Sequence, residues 1–163
     1  MKADTRLFGE IDIAEDKIIT LENGMIGLPE YQTFALIFDE ASEKKASVMW
    51  LQSMDDPQTA FPVMQPNLVK EDYNPTVNDE MLSPLGALTD ENTYILVTLT
   101  ARPDITQTSV NLKAPIIINT DTQKGCQIII DGDYPVKYRI YEAAKGKKES
   151  GGLTDAGTDK KKR

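Results

Sequence analysis

The stretch from 110 to 130 constrains this chain more than any other. Ile116-Ile117-Ile118-Asn119 and Gln127-Ile128-Ile129-Ile130 are β-branched runs in which apolar residues do not alternate with polar ones. Strands of that kind are covered on both faces, so the sequence predicts a central hairpin with 116–119 and 127–130 as its strands. The polar segment 120–125 between them ends in Gly125, which can take the left-handed conformation a hairpin loop often needs. Pro115 has no amide hydrogen to give a ladder and suits the position where a strand begins. Asn111 and Asn119 bracket the first run, and their side-chain amides read as turn-stabilising groups.

The other elements follow the same pattern. Segment 93–100 is the strongest strand, apolar at nearly every position from Tyr94 to Leu99. Segments 8–13 and 17–21 read as a first hairpin, with Gly9 marking a bulge. Segments 34–38, 47–53 and 60–66 are further strands; Pro62 and Pro66 make the last an edge strand or one ending in a bulge. A last strand is expected within 134–141. One short helix is expected over 79–85, capped by Asn78 and stopped by Pro84 and Gly86. Short strands separated by turns, with one small helix, predict a mainly β fold: an antiparallel β-barrel-like or sandwich single domain. The 163 residues suit one domain, placed at 1–141. Beyond it, 142–163 turns to Lys, Gly, Ser, Thr and Asp and reads as a flexible, disordered tail.

Charge and missing residue types narrow the function. A net charge of −8 disfavours direct binding to nucleic acid unless a basic patch is segregated. With no histidine, Ser-His-Asp and Cys-His nucleophiles and histidine metal sites are excluded. The single cysteine, Cys126, forms no internal disulfide and reads as a small hydrophobe in a strand. Gly24-Met25-Ile26-Gly27 lacks the lysine and hydroxyl of a phosphate loop. Asp55-Asp56-Pro57 reads as turn chemistry rather than metal binding or acid-base work. No catalytic, cofactor-binding or metal-binding residue is assigned. The 26 acidic residues leave one alternative open, a small-ligand-binding barrel or carboxylate-dependent hydrolase. No signal-like or membrane-spanning run is found, which leads to the expectation of a soluble, cytoplasmic monomer. The apolar loop Met25, Ile26 and Leu28 must pack on the barrel or form a contact surface.

Several motifs resemble one family. Asn111-Leu112-Lys113-Ala114-Pro115-Ile116-Ile117-Ile118-Asn119, with Lys124-Gly125-Cys126-Gln127 after it, resembles the C-terminal signature of the flagellar assembly factor FliW family. The turn Gly24-Met25-Ile26-Gly27-Leu28-Pro29-Glu30-Tyr31 and the block Trp50-Leu51-Gln52-Ser53 resemble its earlier motifs, and the likeness runs in order from about Leu7 to Tyr134. It marks Gly24, Pro29, Gln52, Asn111, Pro115, Asn119 and Gly125 as motif positions. The resemblance implies a non-enzymatic antagonist, without cofactor, that binds the translational regulator CsrA and also binds flagellin, coupling flagellin synthesis to flagellum assembly. In that picture inhibition of CsrA is allosteric. Complementary charge would place CsrA on an acidic face of Glu71, Asp72, Asp79 and Glu80. An amphipathic helix of flagellin would need an apolar groove, for which Met25, Ile26, Leu28 and Met54 are the candidates.

Overall fold

Eleven short strands carry the chain in the computed structural model, which describes residues 1–37, 48–75, 77 and 79–140. Strands β1 (Lys2–Thr5) and β2 (Gly9–Asp12) form a small antiparallel ribbon of their own. The remaining nine are β3 (Ile18–Leu21), β4 (Thr33–Ile37), β5 (Met49–Ser53), β6 (Ala60–Met64), β7 (Thr93–Thr100), β8 (Ser109–Val110), β9 (Ile116–Asn119), β10 (Lys124–Gln127) and β11 (Tyr138–Arg139). Seven of them run β7-β6-β5-β4-β3-β10-β9, and β9 returns to pair with β7, which closes a barrel. Every pairing is antiparallel except β10 with β3.

Closure depends on the length of β7. Its first half, Thr93 to Leu96, pairs with β9, while Leu99 and Thr100 pair with β8, outside which lies β11. Val97 and Thr98 meet β6 on the other side. A strand shared in this way is covered on both faces. Ile19, Leu21, Phe34, Leu51, Val63, Leu96, Ile116 and Ile118 form one buried cluster, contributed by alternate residues of six strands and so filling the barrel. Val97, Leu99 and Ile117 belong to a second cluster on the outer face, with Tyr73, Leu85, Leu112, Ile128 and Ile130. The triple isoleucine of β9 thus divides between two cores, which is why it shows no alternation. The outer core is covered by the 3-10 turn Pro66–Leu68, the short helix α1 (Asp79–Leu82), the 3-10 turn Ser83–Leu85 and the strand-poor segment 128–137. At about 1.5–3 kcal/mol per fully buried large aliphatic side chain, the two clusters supply most of the driving force for this fold.

The mainly β barrel with one short helix agrees with the sequence reading, but three local expectations do not hold. The hairpin's second strand is Lys124–Gln127 rather than 127–130, with Lys124 opposite Asn119 and Gln127 opposite Ile116. The left-handed turn residue is Gln123, at φ 59°, and not Gly125. Gly125 stands inside β10, where a Cβ would lie 2.9 Å from Leu21 Cδ2 and 3.0 Å from the Ile117 carbonyl oxygen. Second, the N-terminal hairpin pairs β1 with β2, while β3 joins β4 and β10; Gly9 (φ +67°) opens β2 after a turn and is no bulge. Third, β6 is not an edge strand of the sheet. It pairs with β5 along Ala60 to Val63 but meets β7 only at Val63 and Met64, so the half that carries Pro62 has no partner on the β7 side. Asn78, Phe38, Ser47, Tyr141 and the tail 142–163 lie outside the described residues.

Candidate functional site

The loop that follows β3 is shaped by one residue without a side chain. Gly24 sits at φ +71°, and a Cβ there would stand 2.5 Å from Pro29 Cα and 2.6 Å from the Pro29 carbonyl oxygen. Backbone lies over backbone, so only glycine fits. The Leu28 amide donates to the Met25 carbonyl at 2.8 Å and closes the turn. Gln127 fastens it to the barrel: its Oε1 accepts from the Ile26 amide at 2.8 Å while its Nε2 donates to the Ala114 carbonyl at 3.1 Å. Met25 then points into the barrel core, Leu28 packs against that core half-buried, and Ile26 is left exposed.

A groove of about 560 Å³ opens beside this loop. Its lining includes Met25, Ile26 and Leu28 from the loop, Phe61 and Pro62 of β6, and Leu99, Ile129 and Val136. It lies where β6 and β7 part company beyond Val63 and Thr98. Ile26 at 48%, Ile129 at 62% and Val136 at 58% are among the most exposed large apolar residues described, and all three line this one surface. A contiguous apolar patch has a meaning that scattered exposed residues lack. Three of the four residues expected in an apolar groove are therefore brought together. Met54 is not in its lining; it is half-buried after β5, where its amide donates to the Thr33 carbonyl at 2.8 Å. The sequence hides Ile129 because 127–130 reads as a buried strand, whereas β10 ends at Gln127 and Ile129 is exposed; Pro62 and Val136 read only as parts of the strands 60–66 and 134–141.

The pair Asp55 and Asp56 organises the neighbouring turn. One Asp55 oxygen accepts from the Gln32 and Thr33 amides, both at 2.7 Å, and anchors the start of β4. Asp56 accepts from the Thr59 hydroxyl at 2.8 Å, the Tyr31 hydroxyl at 2.9 Å and the Gln58 amide at 3.2 Å. Those donors, Thr59 first and Tyr31 next, hold its carboxyl below the ordinary aspartate range, and the same contact raises the Tyr31 hydroxyl. Gln52 is fully buried, its Nε2 reaching the carbonyls of Ser53, Pro57 and Thr59 at 2.8, 3.1 and 3.0 Å. The N-terminal ribbon docks on this turn through Arg6, whose Nε donates to the Gln58 carbonyl at 3.0 Å.

The asparagines of the 110–119 motif act on backbone. Asn111 Oδ1 accepts from the Lys113 and Ala114 amides at 3.0 and 3.2 Å, just before Pro115 and β9. Asn119, fully buried, accepts from the Asp121 amide at 2.8 Å and donates to the carbonyls of Leu85 and Ala87 at 2.8 and 3.1 Å. It ties the hairpin turn to the segment covering the outer core. Burial pushes the Cys126 thiol up, away from the reactive thiolate.

Glu71 and Asp72 lie in the turns after Pro66–Leu68, and Asp79 and Glu80 open α1; all four are exposed, and none lines the apolar groove. Asp72 already has a cation, the Lys70 Nζ at 3.1 Å, which lowers its carboxyl and raises the lysine. Among the described residues, every carboxylate with a resolved shift (Asp56, Asp72 and Asp104) moves downward, toward the ionised form. A general acid requires the opposite shift. No group of three potential metal ligands is found among the described residues, nor any helix long and apolar enough to cross a membrane.

The model of the family described as FliW protein matches residues 2–140 of this chain. The chain is 46% identical over 147 residues to the flagellar assembly factor FliW of Lachnospira eligens, covering 89% of this chain and 97% of that protein. It is 41% identical over 150 residues to the flagellar assembly factor FliW of Lachnoclostridium phytofermentans, with coverage of 90% and 96%. A crystal structure of the flagellar assembly factor FliW superposes with a TM-score of 0.78 at 29% identity, covering 86% of this chain and 96% of that one.

Proposed function

This chain belongs to the FliW family of flagellar assembly factors, and we propose that it acts there without catalysis, as an antagonist that binds CsrA and flagellin. The observation that carries the proposal is the groove at the β6–β7 seam, with Ile26, Ile129 and Val136 exposed along it. Flagellin lays the apolar face of a helix into that groove. CsrA, an RNA-binding protein with basic surface, is met by the acidic side chains at 71–72 and 79–80, where complementary potential speeds encounter. Free flagellin occupies the protein and leaves CsrA to repress flagellin translation; export of flagellin frees the protein to sequester CsrA again. Such a cycle belongs in the cytoplasm and needs neither cofactor nor contact with nucleic acid.

Two features favour binding over the small-ligand barrel or carboxylate-dependent hydrolase. Phe34, Leu51, Leu96 and their neighbours pack the barrel interior, and the shifted carboxylates are held ionised. The test is flagellin binding by the double variant Ile26→Ala, Ile129→Ala. At about 1 kcal/mol or more for each truncated anchor, affinity falls by roughly tenfold or more, while CsrA binding and thermal stability stay as they are. Unchanged flagellin affinity removes the groove from the interface.

A further inference from the structure

A second concavity, of about 1090 Å³, lies at the β8–β11 end of the sheet. Arg102, Lys137 and Arg139 line it. Lys137 lies in the bend just before the short β11 and Arg139 ends that strand, and both line the concavity. Tyr138, between them, also lines the concavity while packing partly buried against the outer core. Arg102 comes in from the turn that follows β7. Among the described residues no ion pair engages any of these three cations. The one carboxylate of the basin, Asp104, accepts from the Thr106 hydroxyl at 2.7 Å and the Thr106 amide at 3.0 Å and also feels the charge of Arg139. Three cations against one carboxylate in a concavity are a segregated basic site on a chain whose net charge is −8.

This basin adjoins the apolar groove along two chain segments. The groove's lining includes Thr100 and Val136, and the basin's includes Arg102 and Lys137. We propose that groove and basin form one docking surface, which takes a peptide helix that is apolar along one face and carries acidic side chains at one end. The inference rests on the groove reading above and adds the orientation of the bound segment, with its carboxylates over Arg102, Lys137 and Arg139. The surrounding acidic body repels the continuous charge of a phosphate backbone but leaves a short acidic end free to seat in the basin.

Fluorescence anisotropy on the full chain tests this with two labelled, amide-capped amphipathic peptides that share a leucine face and end in three glutamates or in three glutamines. At low salt the glutamate peptide binds about tenfold more tightly, since three exposed ion pairs each add a modest increment, and added salt narrows the margin. The triple variant Arg102→Gln, Lys137→Gln, Arg139→Gln abolishes the margin and leaves the affinity for the glutamine peptide unchanged. Equal affinity for the two peptides, or a margin that survives the triple substitution, overturns the basin while the groove stands. Indifference of the glutamine peptide to Ile26→Ala with Ile129→Ala counts against the groove itself, and failure of either peptide to bind the unaltered chain overturns both. Tight binding of a single-stranded RNA that the triple variant loses also overturns the proposal, because the basin is then a phosphate site.

Discussion

Replacing Gly24 by alanine separates two costs that usually arrive together. Gly24 and Gly27 belong to the same loop and both have positive φ, +71° and +87°. They differ in what a Cβ would meet: nothing within 4 Å at Gly27, but the Pro29 backbone at 2.5 to 2.7 Å at Gly24. Left-handed backbone costs an L-residue roughly 1–2 kcal/mol, partly offset by the smaller entropy of the unfolded alanine chain. Gly27→Ala therefore loses about 1 kcal/mol. Gly24→Ala bears the same cost and must also push two backbone segments apart, which overpacking data put at about 1–3 kcal/mol. The predicted difference between the variants is thus about 1–3 kcal/mol, or roughly 2–12 °C in Tm for a domain of this size. Urea unfolding followed by the fluorescence of Trp50, the single tryptophan, measures it. Trp50 stacks edge-on against Phe8 at 6.4 Å, and this contact is lost on unfolding. Because Met25 of this loop is buried in the barrel, Gly24→Ala also weakens flagellin binding and Gly27→Ala does so much less. Equal destabilisation by the two alanines would refute the reasoning.

Three further perturbations follow from the structure. Asn119→Ala takes the acceptor from the Asp121 and Thr122 amides and one of two donors from the Leu85 and Ala87 carbonyls, which keep Thr122 Oγ1 and Asn92 Nδ2, and should cost about 2 kcal/mol in urea unfolding. Asp56 has a folded-state pKa below its unfolded one, so its stabilising contribution is complete above the ordinary aspartate range and is lost as pH falls through the lowered value. Asp56→Asn should accordingly flatten the decline of stability below about pH 4, and an unaltered acid limb would show that its hydrogen bonds carry no such linkage. Reversing Glu71, Asp72, Asp79 and Glu80 should slow CsrA association and reduce its salt dependence, with the Lys70 pairing reducing what Asp72 contributes; stopped-flow rates that do not move exclude this face.

What could be read from residues alone was the part of the fold governed by local pattern. The β-branched run at 93–100 and the triple isoleucine at 116–118 announced strands covered on both faces, and they proved to be the pair that closes the barrel. Closure itself was not legible, since it depends on β7 dividing its length between β9 and β8 and on the one parallel pairing of β10 with β3. The residues alone put the second hairpin strand three positions too late because Ile128-Ile129-Ile130 outweighs Lys124-Gly125-Cys126 in β propensity. Tertiary packing reverses that preference: Gly125 stands where a Cβ would come within 2.9 Å of Leu21 Cδ2 and 3.1 Å of Ile118 Cγ1, so the small residue suits this tight place. The same error hid Ile129 from the groove. Met25, Ile26 and Leu28 are recognisable because an apolar loop flanked by glycines must find something to cover it, whereas Arg102 lies far in sequence from Lys137 and Arg139 and meets them only through the pairing of β7, β8 and β11.

The central claim, one protein that CsrA and flagellin share in alternation, is tested most directly by calorimetric titration of the full chain with CsrA, with flagellin, and with CsrA after saturation by flagellin. The account predicts binding in the first two titrations and loss of CsrA binding in the third. Undiminished CsrA binding to the flagellin-saturated chain would contradict the switch, and binding to neither protein would contradict the proposed function.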